Sequence, residues 1–283
     1  MSAQHRSTLR SRYTKRTGAL EVLMICVAVL FVIPLYLAIV GSLKSPHDIA
    51  ASPLGLPLHP DFANFADAWN EADMGAALLS TVIITVLSVL GLVVLGSLAA
   101  YVIARRNQRM STIAYYGFLV GIVLPPQLTL IPLYVLLKDM HLLGTYWSMI
   151  VVYIGGQLPF TIFLFAGFMR SLPRDYEEAA LVDGAGTMRV IFSIVLPLIR
   201  PIVGTVVCLD SVYIWNDFLV PLLYLSGSAH QTLAVSIYEF TGQYFEAWNL
   251  IFAGVVIAAV PMVAVFLLLQ KSFLKSFAGV LKG

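Results

Sequence analysis

The sequence predicts an all-α, polytopic membrane protein with six transmembrane helices. Three observations carry that prediction. Of its 283 residues, 59% are hydrophobic and only 11% charged, and the mean hydropathy of +0.89 lies far above that of a water-soluble domain. The apolar residues come in nearly charge-free blocks, each at least as long as the ~20 residues a helix needs to cross a hydrocarbon core of about 30 Å. The basic residues are segregated. With the N-terminus inside, Arg6, Arg10, Arg12, Lys15, Arg16, Arg105, Arg106, Arg109, Arg170, Arg174, Arg189, Arg200, Lys271, Lys275 and Lys282 fall on the cytoplasmic side. Only Lys44 and Lys138 fall outside, so 15 of the 17 basic residues share one side, which sets the orientation by the positive-inside rule.

The elements follow in order. Residues 1–18 form a basic cytoplasmic tail, which reads as a topology signal and not as a nucleic-acid arm. The first span, Ala19–Leu43, is too long for a signal-peptide core and lacks a small-residue cleavage site after it, so it is expected to be retained. An external loop over 44–75 follows, in which Phe65 and Trp69 stand at helical spacing as interfacial anchors. The second span is Ala76–Ala104. The third, Thr112–Leu137, and the fourth, Thr145–Met169, are interrupted by Pro125, Pro126, Pro132 and Pro159. Membrane helices tolerate proline where neighbouring groups satisfy the freed carbonyls. The fifth span is Leu198–Leu225 and the sixth Asn249–Gln270. The external loop between them, Ser226–Trp248, contains Gly227, Tyr238, Gly242, Tyr244 and Phe245 and suits a partner contact or a lid. Cys26 and Cys208 lie inside apolar blocks and read as inert buried thiols. There is no tandem repeat.

The segment Arg170–Arg200 breaks the apolar pattern. In "YEEAALVDGAGTMRVIFSIVLPL", Ser171 is a candidate N-cap and Pro173 suits a first helical turn. Asp175, Glu177 and Glu178 would sit at the positive end of that helix. Ala179 and Ala180 favour helix and leave a low surface for another backbone to approach. Gly184 stands where a left-handed residue ends a helix, and Thr187 can cap a second helix running to the next span. A short surface helix, a turn and a re-entry helix result. That shape fits a partner's groove or, as the alternative, an amphipathic loop lying on the headgroups.

Inside the spans, an aspartate costs about 2.5–3.5 kcal/mol at a helix centre, so it is expected to face a cavity or a partner. Asp210 and Asp217 are seven residues apart and so are expected on one helix face, with Tyr213 and Tyr224 near the same stripe. Carboxylates beside aromatics suit sugar hydroxyls and sugar faces, and Asn216 adjoins them. The alternative is that these groups brace helix packing. Gln127 and Gln157, beside prolines in broken spans, are further pathway candidates. No histidine pair has metal-ligand spacing. There is no intramembrane protease motif, and no G-x-x-x-x-G-K-[ST] for ATP phosphates.

The spacing Glu178-Ala179-Ala180, three residues, Gly184, nine residues, Ile194, one residue, Leu196-Pro197 resembles the EAA loop of bacterial ABC-importer permeases at every position. The stretches "NFADAW", "YIWNDFLVPLL" and "LLLQKSFLKSFAGVLKG" are similar to the carbohydrate branch of that family, of the smaller maltose-permease type. The Trp215-Asn216 pair is similar to a recurrent feature of the family. The resemblance covers nearly everything from residue 19 to the end. It implies a type I importer permease architecture in a bacterial inner membrane, with a permease domain over 19–283 and a coupling loop at 171–197. In that loop Glu177, Glu178, Ala179, Ala180, Asp183 and Gly184 would dock into a partner ATPase. It also implies a second homologous permease, two ATPase subunits that use ATP and Mg, and an external sugar-binding protein, with no cofactor and no catalysis in this chain. Alternatives of the same class are a phosphorylated polyol or another small polar solute. A self-contained secondary carrier is the alternative of a different class.

Overall fold

The structure is a computed structural model that describes residues 15–106, 108–241 and 247–280, with side chains for 18–106, 108–241 and 247–268. Among the described residues the regular structure is entirely helical. Helix α1 (Lys15–Gly41) starts inside the segment expected to be a tail. Two short helices follow, α2 (Pro46–Ala51) and α3 (Ala63–Glu71). Ser45 caps α2 by accepting the Asp48 N–H, and Pro46 occupies the first turn, where its missing N–H costs nothing. Asp73, at φ +43°, turns the chain into the long helix α4 (Met74–Arg105).

The third expected span is broken. Helix α5 (Arg109–Val123) and the pair formed by the turn Pro126–Thr129 and α6 (Leu130–Asp139) meet at 93°. Pro125 and Pro126 cannot donate backbone N–H groups, and their rings clash with the preceding turn, so the helix ends there. Helix α7 (Tyr146–Ser171) runs through Pro159 without a break.

Beyond α8 (Asp175–Val182), the re-entry segment passes from α9 (Thr187–Val190) through a π turn (Ile191–Val195) into α10 (Leu196–Leu198), then bends by 81° into α11 (Arg200–Asn216). Two prolines explain these irregularities. A proline obstructs the carbonyl four residues back, which for Pro197 falls at Ser193 inside the π turn, and for Pro201 at Pro197 just before the bend. The expected fifth span, Leu198–Leu225, is therefore not one helix. A third proline, Pro221, obstructs the carbonyl of Asp217, so α11 stops at Asn216 and a separate α12 (Leu219–Tyr224) begins. Then come α13 (Leu233–Tyr238) and α14 (Trp248–Val280). Gly242, Tyr244 and Phe245, expected in the last external loop, lie outside the described residues.

Among the described residues four single helices are long and apolar enough to cross a membrane, and counting each bent pair as one span gives six. Helices α4 and α7 form the centre. Gly91 and Gly96 let them approach, because a Cβ at either position would collide with Ile154 or Thr161 of α7, the close packing that small residues give membrane helices. Leu92, Met149, Ile162, Phe165 and Met169 fill the contact. Helix α1 lies against α14, where Gly41 faces the Phe252 ring, and leaves Met24, Leu30 and Phe31 exposed. Cys26, expected to be buried, is exposed on α1, whereas Cys208 is buried.

The two ends of the bundle differ. At one end the loops are clamped by buried polar groups. Asn64 Nδ2 donates to the carbonyls of Ser42 and Lys44, and Asn249 Nδ2 donates to Asn64 Oδ1. The Leu233 N–H donates to Thr81 Oγ1, and Ser236 Oγ to the Ala72 carbonyl. Trp69 is exposed on α3 as an interfacial anchor would be, while Phe65 packs into the core beside Ala68 and Ala253. The other end holds Arg105, Arg106, Arg170, Arg174 and α8. We call it the basic end.

Candidate functional site: the acidic helix and the polar residues of the bundle

Helix α8 begins without a side-chain cap. Its N-cap is Arg174, and Ser171, expected there, is the last residue of α7 with its hydroxyl on the Phe168 carbonyl. Pro173 precedes the helix and does not enter its first turn, because Leu172 is already extended at the end of α7. Asp175, Glu177 and Glu178 occupy the first turn as expected, where they meet the positive end of the helix dipole.

The C-terminus closes in a Schellman motif. Gly184 has φ +83°, its N–H donates to the Leu181 carbonyl at 3.1 Å, and the Ala185 N–H donates to Ala180 at 3.0 Å. A β-branched residue is strained at that φ, which is why glycine stands there. Gly186, and not Thr187, is the N-cap of α9, since Thr187 already has helical geometry as its first residue.

The acids of α8 divide between its two faces. Glu177 turns inward and is buried. Arg105, from the end of α4, binds its Oε1 through Nε at 2.8 Å and Nη2 at 2.5 Å. Both Nη atoms of Arg105 also reach the Leu172 carbonyl at 3.4 Å, and Arg174 Nη2 reaches the Arg105 carbonyl at 3.4 Å. The carboxylate expected to face a partner thus ties α8 to α4, with the arginine fork matching the carboxylate. Glu178, Ala179 and Asp183 remain exposed, with Ala180 half-buried against the core. Around them Tyr176, Leu181 and Val182 are exposed, Val182 by 87%, so α8 presents an uncovered acidic and apolar face.

The bundle's polar candidates do not converge. Asp217 lies beyond the end of α11, so it shares no helix face with Asp210, and Tyr224 belongs to α12. Instead Asp217 caps α12. Its Oδ1 accepts the Val220 N–H at 3.5 Å, and Tyr153 of α7 donates its hydroxyl to Oδ2 at 3.0 Å. Asp210 is buried at 1% exposure and accepts from Thr161 at 3.2 Å, with Oδ1 unpartnered. Tyr213 is exposed by 44%, its ring edge-on to Tyr153 at 6.4 Å. Asn216 is exposed and donates to the Val212 carbonyl. With Trp215, whose indole donates to the Ala258 carbonyl, Asn216 borders a largely apolar cleft of about 530 Å³ between α11, α13 and α14. Gln127 is exposed in the turn between α5 and α6, and Gln157 is half-buried in α7.

The sequence reading missed Arg105, Tyr153 and Thr161 as partners of these acids. They stand 72, 64 and 49 residues away, and no local spacing signals them.

The all-α bundle, with four to six apolar spans and an exposed acidic helix at its basic end, has the architecture of a polytopic membrane protein. The family model for the binding-protein-dependent transport system inner membrane component matches residues 92–278, and the chain belongs to that family. Over 97% of this chain and 100% of the relative, it is 36% identical to the melibiose/raffinose/stachyose import permease protein MelC of Bacillus subtilis (strain 168). It is 34% identical to the diacetylchitobiose uptake system permease protein NgcG of Streptomyces coelicolor (strain ATCC BAA-471 / A3(2) / M145), over 88% of this chain and 83% of that one. Its fold is similar to that of a chain in the crystal structure of a bacterial ABC transporter involved in the import of the acidic polysaccharide alginate. The TM-score is 0.81 at 18% identity, covering 94% of this chain and 100% of that one.

Proposed function

We propose that this chain is one permease subunit of an ATP-binding-cassette importer for a disaccharide or oligosaccharide in a bacterial inner membrane. Near-full-length similarity to a permease named for melibiose, raffinose and stachyose import carries the substrate class. The second observation is the exposed face of α8 at the end where the arginines gather. In this reading the basic end and both termini are cytoplasmic, residues 1–18 hold that orientation, and 19–283 form the permease domain. Two ATPase subunits, which use ATP and Mg, dock on the EAA loop through Glu178, Ala179, Ala180, Asp183 and Gly184, while Glu177 positions the helix from within. A second homologous permease completes the pathway, an external sugar-binding protein delivers the substrate, and the pair alternates access between the two sides. This chain supplies no catalytic residue and holds no cofactor. Asp210, Tyr213, Asn216, Asp217, Gln127 and Gln157 remain the pathway candidates.

The deciding experiment is uptake of labelled saccharides by cells carrying the operon, with and without this chain, alongside a ligand screen on the cognate binding protein. Saccharide uptake that disappears with this chain is expected. Saccharide uptake that persists without it, or a binding protein that takes only phosphorylated polyols, overturns the substrate class. Cysteines placed at Ser52 and Ser228, in a background lacking Cys26 and Cys208, should react with an impermeant thiol reagent from outside, and those at Ser111 and at exposed Ser171 should not. The reverse pattern overturns the orientation.

A further inference from the structure

The basic end contains a concavity that the coupling reading does not use. It encloses about 400 Å³ where the end of α4, the start of α5 and the α7–α8 link meet, and Arg105, Arg106, Arg170, Arg174, Thr112 and Leu172 line it. Arg105 is neutralised by Glu177. The other three arginines have no carboxylate within 4 Å among the described residues. Arginines repel one another, and among the described residues no carboxylate lines this hollow. Arg170 is pre-positioned, its guanidinium 4.4 Å above the Tyr115 ring, an arrangement that holds the fork in place. The last turn of α4 and the first two turns of α5, which flank the hollow, also carry exposed apolar residues. Val102 of α4 and Met110, Ile113 and Tyr116 of α5 are all exposed.

A recess with surplus guanidinium charge flanked by exposed apolar residues matches an amphiphile with an anionic head. Guanidinium forks bind phosphate oxygens in pairs, and basic pockets between membrane helices are recognised places for acidic headgroups. We propose that this pocket binds the phosphate of an anionic phospholipid, with the headgroup among Arg106, Arg170 and Arg174 and the acyl chains along α5. The bound phosphate would then lie beside the Arg105–Glu177 pair and the Leu172 carbonyl, the contacts that fix the root of α8.

The full chain, purified with whatever subunits accompany it, can be titrated in detergent with phosphatidylglycerol and followed by native mass spectrometry. Phosphatidylglycerol adducts should exceed phosphatidylcholine adducts. In Arg106→Gln/Arg170→Gln they should fall about tenfold, while Arg189→Gln, a basic residue outside the pocket, leaves them unchanged. Thr112→Trp, which fills the hollow without altering charge, should lower them as well and gives an independent reading if the double variant is poorly folded. Equal binding of the two lipids, or unchanged adducts in both pocket variants, overturns the site. Displacement of the lipid by millimolar inorganic phosphate makes it a free-anion site and overturns the lipid assignment. Loss of accompanying subunits with lipid binding intact makes it a protein contact and overturns it likewise.

Discussion

Helix α8 and the segment 210–217 both carry aspartates or glutamates in an apolar chain, yet the structure treats them differently. In the bundle, both acids are turned inward and answered by a side chain of α7, Thr161 for Asp210 and Tyr153 for Asp217. On α8 only Glu177 is answered internally, by Arg105, and Glu178, one position on, is left on the outside. An acid in a hydrophobic sequence therefore says that a polar partner exists. It does not say whether that partner belongs to the same chain. Adjacent glutamates on one short helix face different ways, Glu177 to Arg105 and Glu178 outward, because successive residues of a helix point about 100° apart.

The largest effect expected from breaking this contrast is at the inward acid. Removing one member of a buried ion pair leaves the other charge desolvated and typically costs 3–5 kcal/mol. Glu177→Ala and Arg105→Ala should each lower the thermal stability of the purified chain by several kcal/mol. The exchange Arg105→Glu/Glu177→Arg should recover part of it. Glu178→Ala should leave stability unchanged. Melting curves in detergent read all four. Equal stability for Glu177→Ala and Glu178→Ala would erase the distinction between the two faces.

The outward acid should behave in the opposite way. Glu178→Arg should leave the melting curve in place and weaken retention of the ATPase subunits by about thirtyfold, the loss typical of one residue in a fitted docking pocket. Co-purification ratios give the readout. Full retention would return α8 to the reading of a loop lying on headgroups.

These two residues also show what the sequence makes legible. The presence of α8, its acidic first turn and the positive φ at Gly184 follow from local chemistry, since dipole, alanine propensity and a C-terminal glycine all act within a few residues. The six apolar blocks are legible for the same reason. What stayed hidden is non-local or depends on how proline acts. Glu177 cannot reveal Arg105 across 72 residues. Ser171 and Thr187 looked like caps, but α7 runs two residues further than its apolar stretch suggests and Gly186 takes the cap position of α9. The supposed shared face of Asp210 and Asp217 assumed a continuous helix, and Pro221 prevents one.

Asp217 provides the next test, of intermediate size. As a cap and an acceptor for Tyr153, it should contribute about 1 kcal/mol. Asp217→Ala and Tyr153→Phe should each cost about that much, and the double variant should cost less than their sum, since both remove the same hydrogen bond. Uptake assays separate this from a pathway role. If Asp217→Asn abolishes transport while the melting curve is unmoved and Tyr153→Phe is silent, the aspartate acts on the solute and the contrast with α8 narrows.

The smallest expected effect is at Tyr213. Its ring touches Tyr153 edge-on, its hydroxyl makes no hydrogen bond among those described, and nearly half of it is exposed. Deleting that hydroxyl removes no packing, so Tyr213→Phe should change stability by less than about 0.5 kcal/mol. That silence makes it the cleaner probe of the pathway. If the exposed face of α11 meets the saccharide, the phenol is the group that would hydrogen-bond a sugar hydroxyl, and Tyr213→Phe should raise the half-saturating concentration for uptake severalfold with assembly and ATPase retention intact. Tyr213→Ala should add the loss of ring stacking on the sugar face. Unchanged uptake kinetics in both variants would remove Tyr213 from the pathway and assign its ring to the contact with Tyr153 between α11 and α7.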